Sequence, residues 1–140
     1  MTAYKFRLML GACAGLALAG CETVAEEVNE AVGREFVAML APSPGGTGSG
    51  KAEISLNDTT NMLCTDLELN GAVAMTAGHI VAPGGRVIAD IDVPDDDDSD
   101  DCDNIADADV DAIRANPGGY RVHIAATTGD LNGTLRRDTD

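Results

Sequence analysis

Ala52, Ile54 and Leu56 face one way along the chain while Lys51, Glu53 and Ser55 face the other. A period of two puts an apolar stripe on one side of a strand and cannot do so on a helix. The same period recurs in Phe36, Ala38 and Leu40, in Leu63, Leu67 and Leu69, in Val87, Ala89, Ile91 and Val93, and in Tyr120, Val122, Ile124 and Ala126. Residues 74–81 read as a further strand and 133–137 as a short last one. Between them lie Pro42-Ser43-Pro44-Gly45-Gly46-Thr47-Gly48-Ser49-Gly50, Asn57-Asp58 and Ala82-Pro83-Gly84-Gly85, which favour turns. One helix is predicted over 106–115, with Ala108, Val110 and Ile113 apolar and Asn116-Pro117-Gly118 ending it. Short strands between Gly/Pro turns predict a mostly β domain, a Greek-key β-sandwich or barrel-like fold with one short helix.

The beginning of the chain obeys different rules. Lys5 and Arg7 precede an apolar run, Leu8 to Leu18, that is too short for a bilayer span of roughly 20 residues. Leu18-Ala19-Gly20-Cys21 closes the run and reads as a lipobox, so residues 1–20 are expected to be a lipoprotein signal peptide and Cys21 the lipidated residue. Two or three acyl chains would attach the protein stably, where one holds only marginally. Glu22 follows the cysteine, and with no Asp there the outer membrane is favoured, the domain facing the periplasm or the exterior. Residues 21–33 read as an acidic tether, with Val24, Val28, Ala31 and Val32 at helical spacing, and residues 34–137 as the domain.

This cut changes two accounts. It removes Lys5 and Arg7 and no acid, which leaves seven basic residues against 24 acidic ones and moves the formal charge from −15 to −17. Such a charge repels phosphates, which excludes nucleic acid and favours cationic partners. It also leaves Cys64 and Cys102 as the remaining cysteine pair. In an oxidising envelope they are expected to form a disulfide, worth roughly 3–4 kcal/mol for a loop of that length. A zinc site would want the closer C-x-x-C spacing. The constraint matters because the aromatics of the domain reduce to Phe36 and Tyr120, so the core is aliphatic and modest.

Asp95-Asp96-Asp97-Asp98-Ser99-Asp100-Asp101-Cys102-Asp103 is the densest charge in the chain, and residues 95–104 read as a solvated acidic insertion. Its other reading is a calcium loop over 95–107. Asp96, Asp98 and Asp100 fit the first ligand positions of an EF-hand, and Asp107 the twelfth. Asp101, however, occupies the place of the turn glycine, and the twelfth-position Glu is missing. Weak divalent binding follows from either reading, and no resident cofactor is called for.

His79 shares an alternation face with Met75, Ala77 and Val81, which suits a hydrogen-bonded structural imidazole better than a ligand. His123 alternates with Arg121 and Ala125 and belongs to the solvent face. No G-x-S-x-G and no P-loop is present, and no catalytic residue can be picked out.

Thr76-Ala77-Gly78-His79-Ile80 resembles the T-A-A-H-I-H segment of the chordin-type (CHRD) domain. The run from Ile113 to Val122, with Ala115-Asn116-Pro117 and Tyr120, resembles the family's L-x-A-N-P-x-x-Y-Y-V, and Asn132-Gly133-Thr134-Leu135-Arg136 its closing N-G-E-I-R. Cys64 and Cys102 also fall where many bacterial members carry a cysteine pair. The resemblance covers about Phe36 to Arg137 and implies an exported β-domain, with binding more at home than catalysis. The chain departs from the pattern at Val81 and Ala125, where the family has histidines, at His123, where it often has Asn, and at Arg137-Asp138-Thr139, which replace Gly-Gln-Leu. The leading expectation is therefore a lipid-anchored envelope protein whose CHRD-like domain is a non-catalytic binding or structural module, with an extracytoplasmic protein as ligand. The second is a calcium-binding envelope protein, and the third a metalloenzyme using His79 and His123.

Overall fold

The alternation builds one antiparallel sheet that curls back on itself. A computed structural model describes residues 35–93 and 98–139. The strands are β1 (Phe36–Pro42), β2 (Ser49–Asn57), β3 (Met62–Asn70), β4 (Met75–Val81), β5 (Val87–Ile91), β6 (Asp98–Asn104), β7 (Arg121–Ala126), β8 (Leu131–Thr134) and β9 (Arg136–Arg137). The helix α1 (Asp107–Ala115) lies between β6 and β7. The order around the sheet is β5-β4-β7-β8-β1-β2-β3-β6, with β9 on β1. The β4–β7 and β3–β6 neighbours are the long Greek-key connections, so the fold is the mostly β, barrel-like single domain that the alternation predicts. Tethering residues 21–33 and the signal lie outside the described residues.

Because all pairings are antiparallel, the turns sort to two poles. Glu35, the β2–β3 and β4–β5 turns, α1 and Asp138 share one pole, while turns 43–48, 71–74 and 127–130 occupy the other. At the first pole the Asp138 amide donates to the Glu35 carbonyl at 2.9 Å.

Inside, Phe36, Ile54, Leu56, Leu63, Leu67, Ile80, Val122, Ile124 and Leu131 are fully buried. Each such side chain contributes about 1.5–3 kcal/mol relative to exposure. Gly133 lets β8 press onto β1, since a Cβ there would stand 2.5 Å from the Met39 carbonyl oxygen. Two expectations change at the ends of elements. Val87 and Val93 are 47% and 50% exposed, because Val93 lies beyond β5 and a register shift against β4 separates Val87 from the inward positions Ala89 and Ile91. On α1 Ala108 is exposed and Asp109 is buried with Val110 and Ile113. Arg86, from the β4–β5 turn, makes that possible by gripping both Asp109 oxygens, at 2.6 and 3.1 Å. Asp107 and Asp109 lie in the first turn of α1 and Arg114 in its last, each where the helix dipole favours it. Arg114 also bonds Asp58 at 2.8 Å and Glu35 at 3.1 Å, fastening the helix to the pole.

The larger correction concerns the acidic run. Its residues 98–104, read as a solvated insertion, form β6 in full register with β3. Two tertiary forces override the poor strand propensity of aspartate. Cys102 lies opposite Cys64, Cα to Cα 4.0 Å, and the two are joined by the expected disulfide. Asp101 and Asp103, alternating with it, reach across to β5 instead of to water. The Asp92 amide donates to Asp101 Oδ2 at 3.2 Å and the Asp90 amide to Asp103 Oδ2 at 2.8 Å. These carboxylates take the place of backbone carbonyls where β5 and β6 meet, and inward acids of this kind are one way of protecting sheet edges. Burial pushes the Asp101 carboxyl up, opposed by the hydrogen bond from Asp92 and reinforced by the nearby Asp92 and Asp103 charges.

Candidate functional site

On the outer wall of the barrel, strand register sets a polar row across β5, β4, β7 and β8. Asp90 stands opposite His79, His79 opposite His123, and His123 opposite Asn132. The inward positions beside His79 are Gly78 and Ile80, so the face it shares with Ala77 is the outer one, whereas Met75, across a register shift between Met75 and Ala77, packs against the core. Val81, past a register shift between β4 and β5, is buried where His79 is only partly so. His123 is on the outer face as expected, flanked inside by Val122 and Ile124. Both imidazoles are half-buried, their side chains 32% and 29% exposed.

Each ring is fixed by its own carboxylate. His79 Nδ1 lies 2.9 Å from Asp90 Oδ1, and His123 Nε2 lies 3.1 Å from Asp130 Oδ2. An ionised carboxylate only accepts, so Nδ1 of His79 and Nε2 of His123 carry the protons. The hydrogen bond from His123, followed by that from the Ala126 amide, holds the Asp130 carboxyl below its usual range. The remaining ring nitrogens, Nε2 of His79 and Nδ1 of His123, have no hydrogen bond among the described residues. The arrangement offers two imidazoles at paired positions of neighbouring strands, each backed by an acid.

The residues of the expected calcium loop are not gathered. Asp96 lies outside the described residues, Asp98 and Asp100 stand opposite Glu68 and Asp66 in the β3–β6 ladder, and Asp107 opens α1. EF-hand ligation needs a chain that wraps around the ion, whereas residues 98–104 run extended. Of the expected ligands, Asp98 and Asp100 therefore lie on an extended edge strand and Asp107 on the helix that follows it. Among the described residues no group of three or more His, Cys, Asp or Glu is placed to hold a metal ion. That leaves the metalloenzyme reading without a three-ligand centre there. Cys21 lies outside the described residues.

The partners Asp90 and Asp130 were not anticipated from sequence. Asp90 is one of many acids, and Asp130 sits in the Thr127-Thr128-Gly129-Asp130 turn; only the fold brings each to a ring.

Residues 26–136 match the family model described as the CHRD domain. The chain belongs to the CHRD domain family. No curated protein and no solved structure gives a match. Within this CHRD domain, the motif around His79 is β4, the Asn116-Pro117 motif is the turn from α1 into β7, and the Asn132-Gly133 motif is β8 lying on β1.

Proposed function

We propose that this CHRD domain is a non-catalytic binding or structural module held at a bacterial cell envelope, outer membrane first, by lipid on Cys21. The observation that carries the reading is Leu18-Ala19-Gly20-Cys21 standing five residues before the family match begins. The Cys64–Cys102 disulfide supports it, since such bonds persist in oxidising compartments. So does the barrel interior, whose core is filled mainly by aliphatic side chains. An acidic wall suits a cationic extracytoplasmic protein as partner. Labelling cells with a palmitate analogue tests the anchor. The wild-type chain should be labelled and sediment with membranes, and Cys21→Ser should be unlabelled and released. Equal labelling of both chains, or an unlabelled wild type, would remove the anchor from the proposal.

A further inference from the structure

We infer that His79 and His123 form a two-histidine site on the outer wall that binds one nitrogen-preferring divalent transition metal, such as Ni(II), Cu(II) or Zn(II), with water completing its shell. Four observations carry this. The histidines are direct partners across β4 and β7, which sets their Cβ atoms about 4.5–5.5 Å apart, a span that two imidazoles can close on one ion. Each ring donates its N–H to a carboxylate, Asp90 or Asp130, the outer-shell arrangement that fixes the tautomer and strengthens a metal-binding imidazole. The nitrogens left over, Nε2 of His79 and Nδ1 of His123, have no hydrogen bond to a described residue. Both side chains are half-buried, so they are held in place yet reachable from solvent.

The donor set decides the metal. Imidazole selects borderline transition ions, whereas calcium and magnesium take oxygen. No third His, Cys, Asp or Glu joins the pair among the described residues, so the bound ion keeps open positions and exchanges readily. The site depends on the described barrel alone and stands whether or not Cys21 carries lipid.

The experiment is a calorimetric titration of the metal-stripped full chain with Ni(II), in millimolar Mg(II) to occupy carboxylates elsewhere. Saturation at a single ion per chain is expected, lost in His79→Gln and in His123→Gln, and weakened roughly tenfold in Asp90→Asn. Absence of saturable binding, or affinity unchanged in either histidine variant, overturns the site. Should a variant not fold, the wild type still decides. Substoichiometric Cu(II) should broaden the ring signals of both histidines in NMR spectra before those of the aspartates, and broadening that spares either ring refutes the pair.

Discussion

Asp109 is a carboxylate only 6% exposed among aliphatic neighbours, and one guanidinium makes it tolerable there. Arg86→Met should strand that charge and lower the melting temperature. Adding Asp109→Leu should recover most of the loss, because removing both members of an ion pair costs less than removing one. Thermal melts of the two single variants and the double measure the coupling, and additive effects would contradict it. Two other carboxylates should shape stability against pH in opposite senses. Asp101 has its pKa raised, so the folded state holds a proton more firmly than the unfolded chain. The stability it contributes is fully present below about pH 4 and is lost as pH rises through the elevated value. Asp130 has its pKa lowered, so its contribution is present above about pH 4 and is lost as pH falls through the depressed value. Asp101→Asn should flatten the first trend and Asp130→Asn the second. Denaturation midpoints from about pH 3 to about pH 8 measure both, and parallel curves for all three proteins would show that neither shift is felt.

At the scale of the element, β6 is a strand made by its partners. Replacing Cys64 and Cys102 together by Ser should cost roughly 3–4 kcal/mol and speed amide exchange in β6 ahead of β2. Unchanged exchange would mean that the Asp101 and Asp103 bonds to β5 suffice without the bridge. Gly133→Ala, by contrast, should loosen β8 from β1, at about 1–3 kcal/mol of overpacking in a denaturant titration. These two elements mark what could be read in advance. Ala52, Ile54 and Leu56 disclose β2 because local alternation and burial agree. The run 98–104 does not disclose β6, because its strand state depends on the disulfide, on the β3 edge and on amides from β5. His79 and His123 are visible as residues, but that they stand side by side is a fact of register between distant strands. Period two could say only that each lies on a face, and for His79 the apolar face it suggested included Met75, which packs against the core across the register shift between Met75 and Ala77.

At the scale of the whole molecule, a chain of formal charge −15 includes a barrel whose last seam is held by two aspartates. Screening should therefore help it. Raising sodium chloride from low to near-physiological concentration, where the Debye length falls to about 8 Å, should raise the melting temperature, and a flat response would mean that the acids are already neutralised in pairs. The hydrogen bond between Asp138 and Glu35 has a further meaning for how the protein is met from outside. Glu35 and Asp138 share that pole with the helix, so a surface held close before Glu35 would lie beneath the helix and Asp138 together. A reporter fused after Asp138 would sit in the shadow of that surface. One inserted near Thr47, at the opposite pole, would stand clear of it.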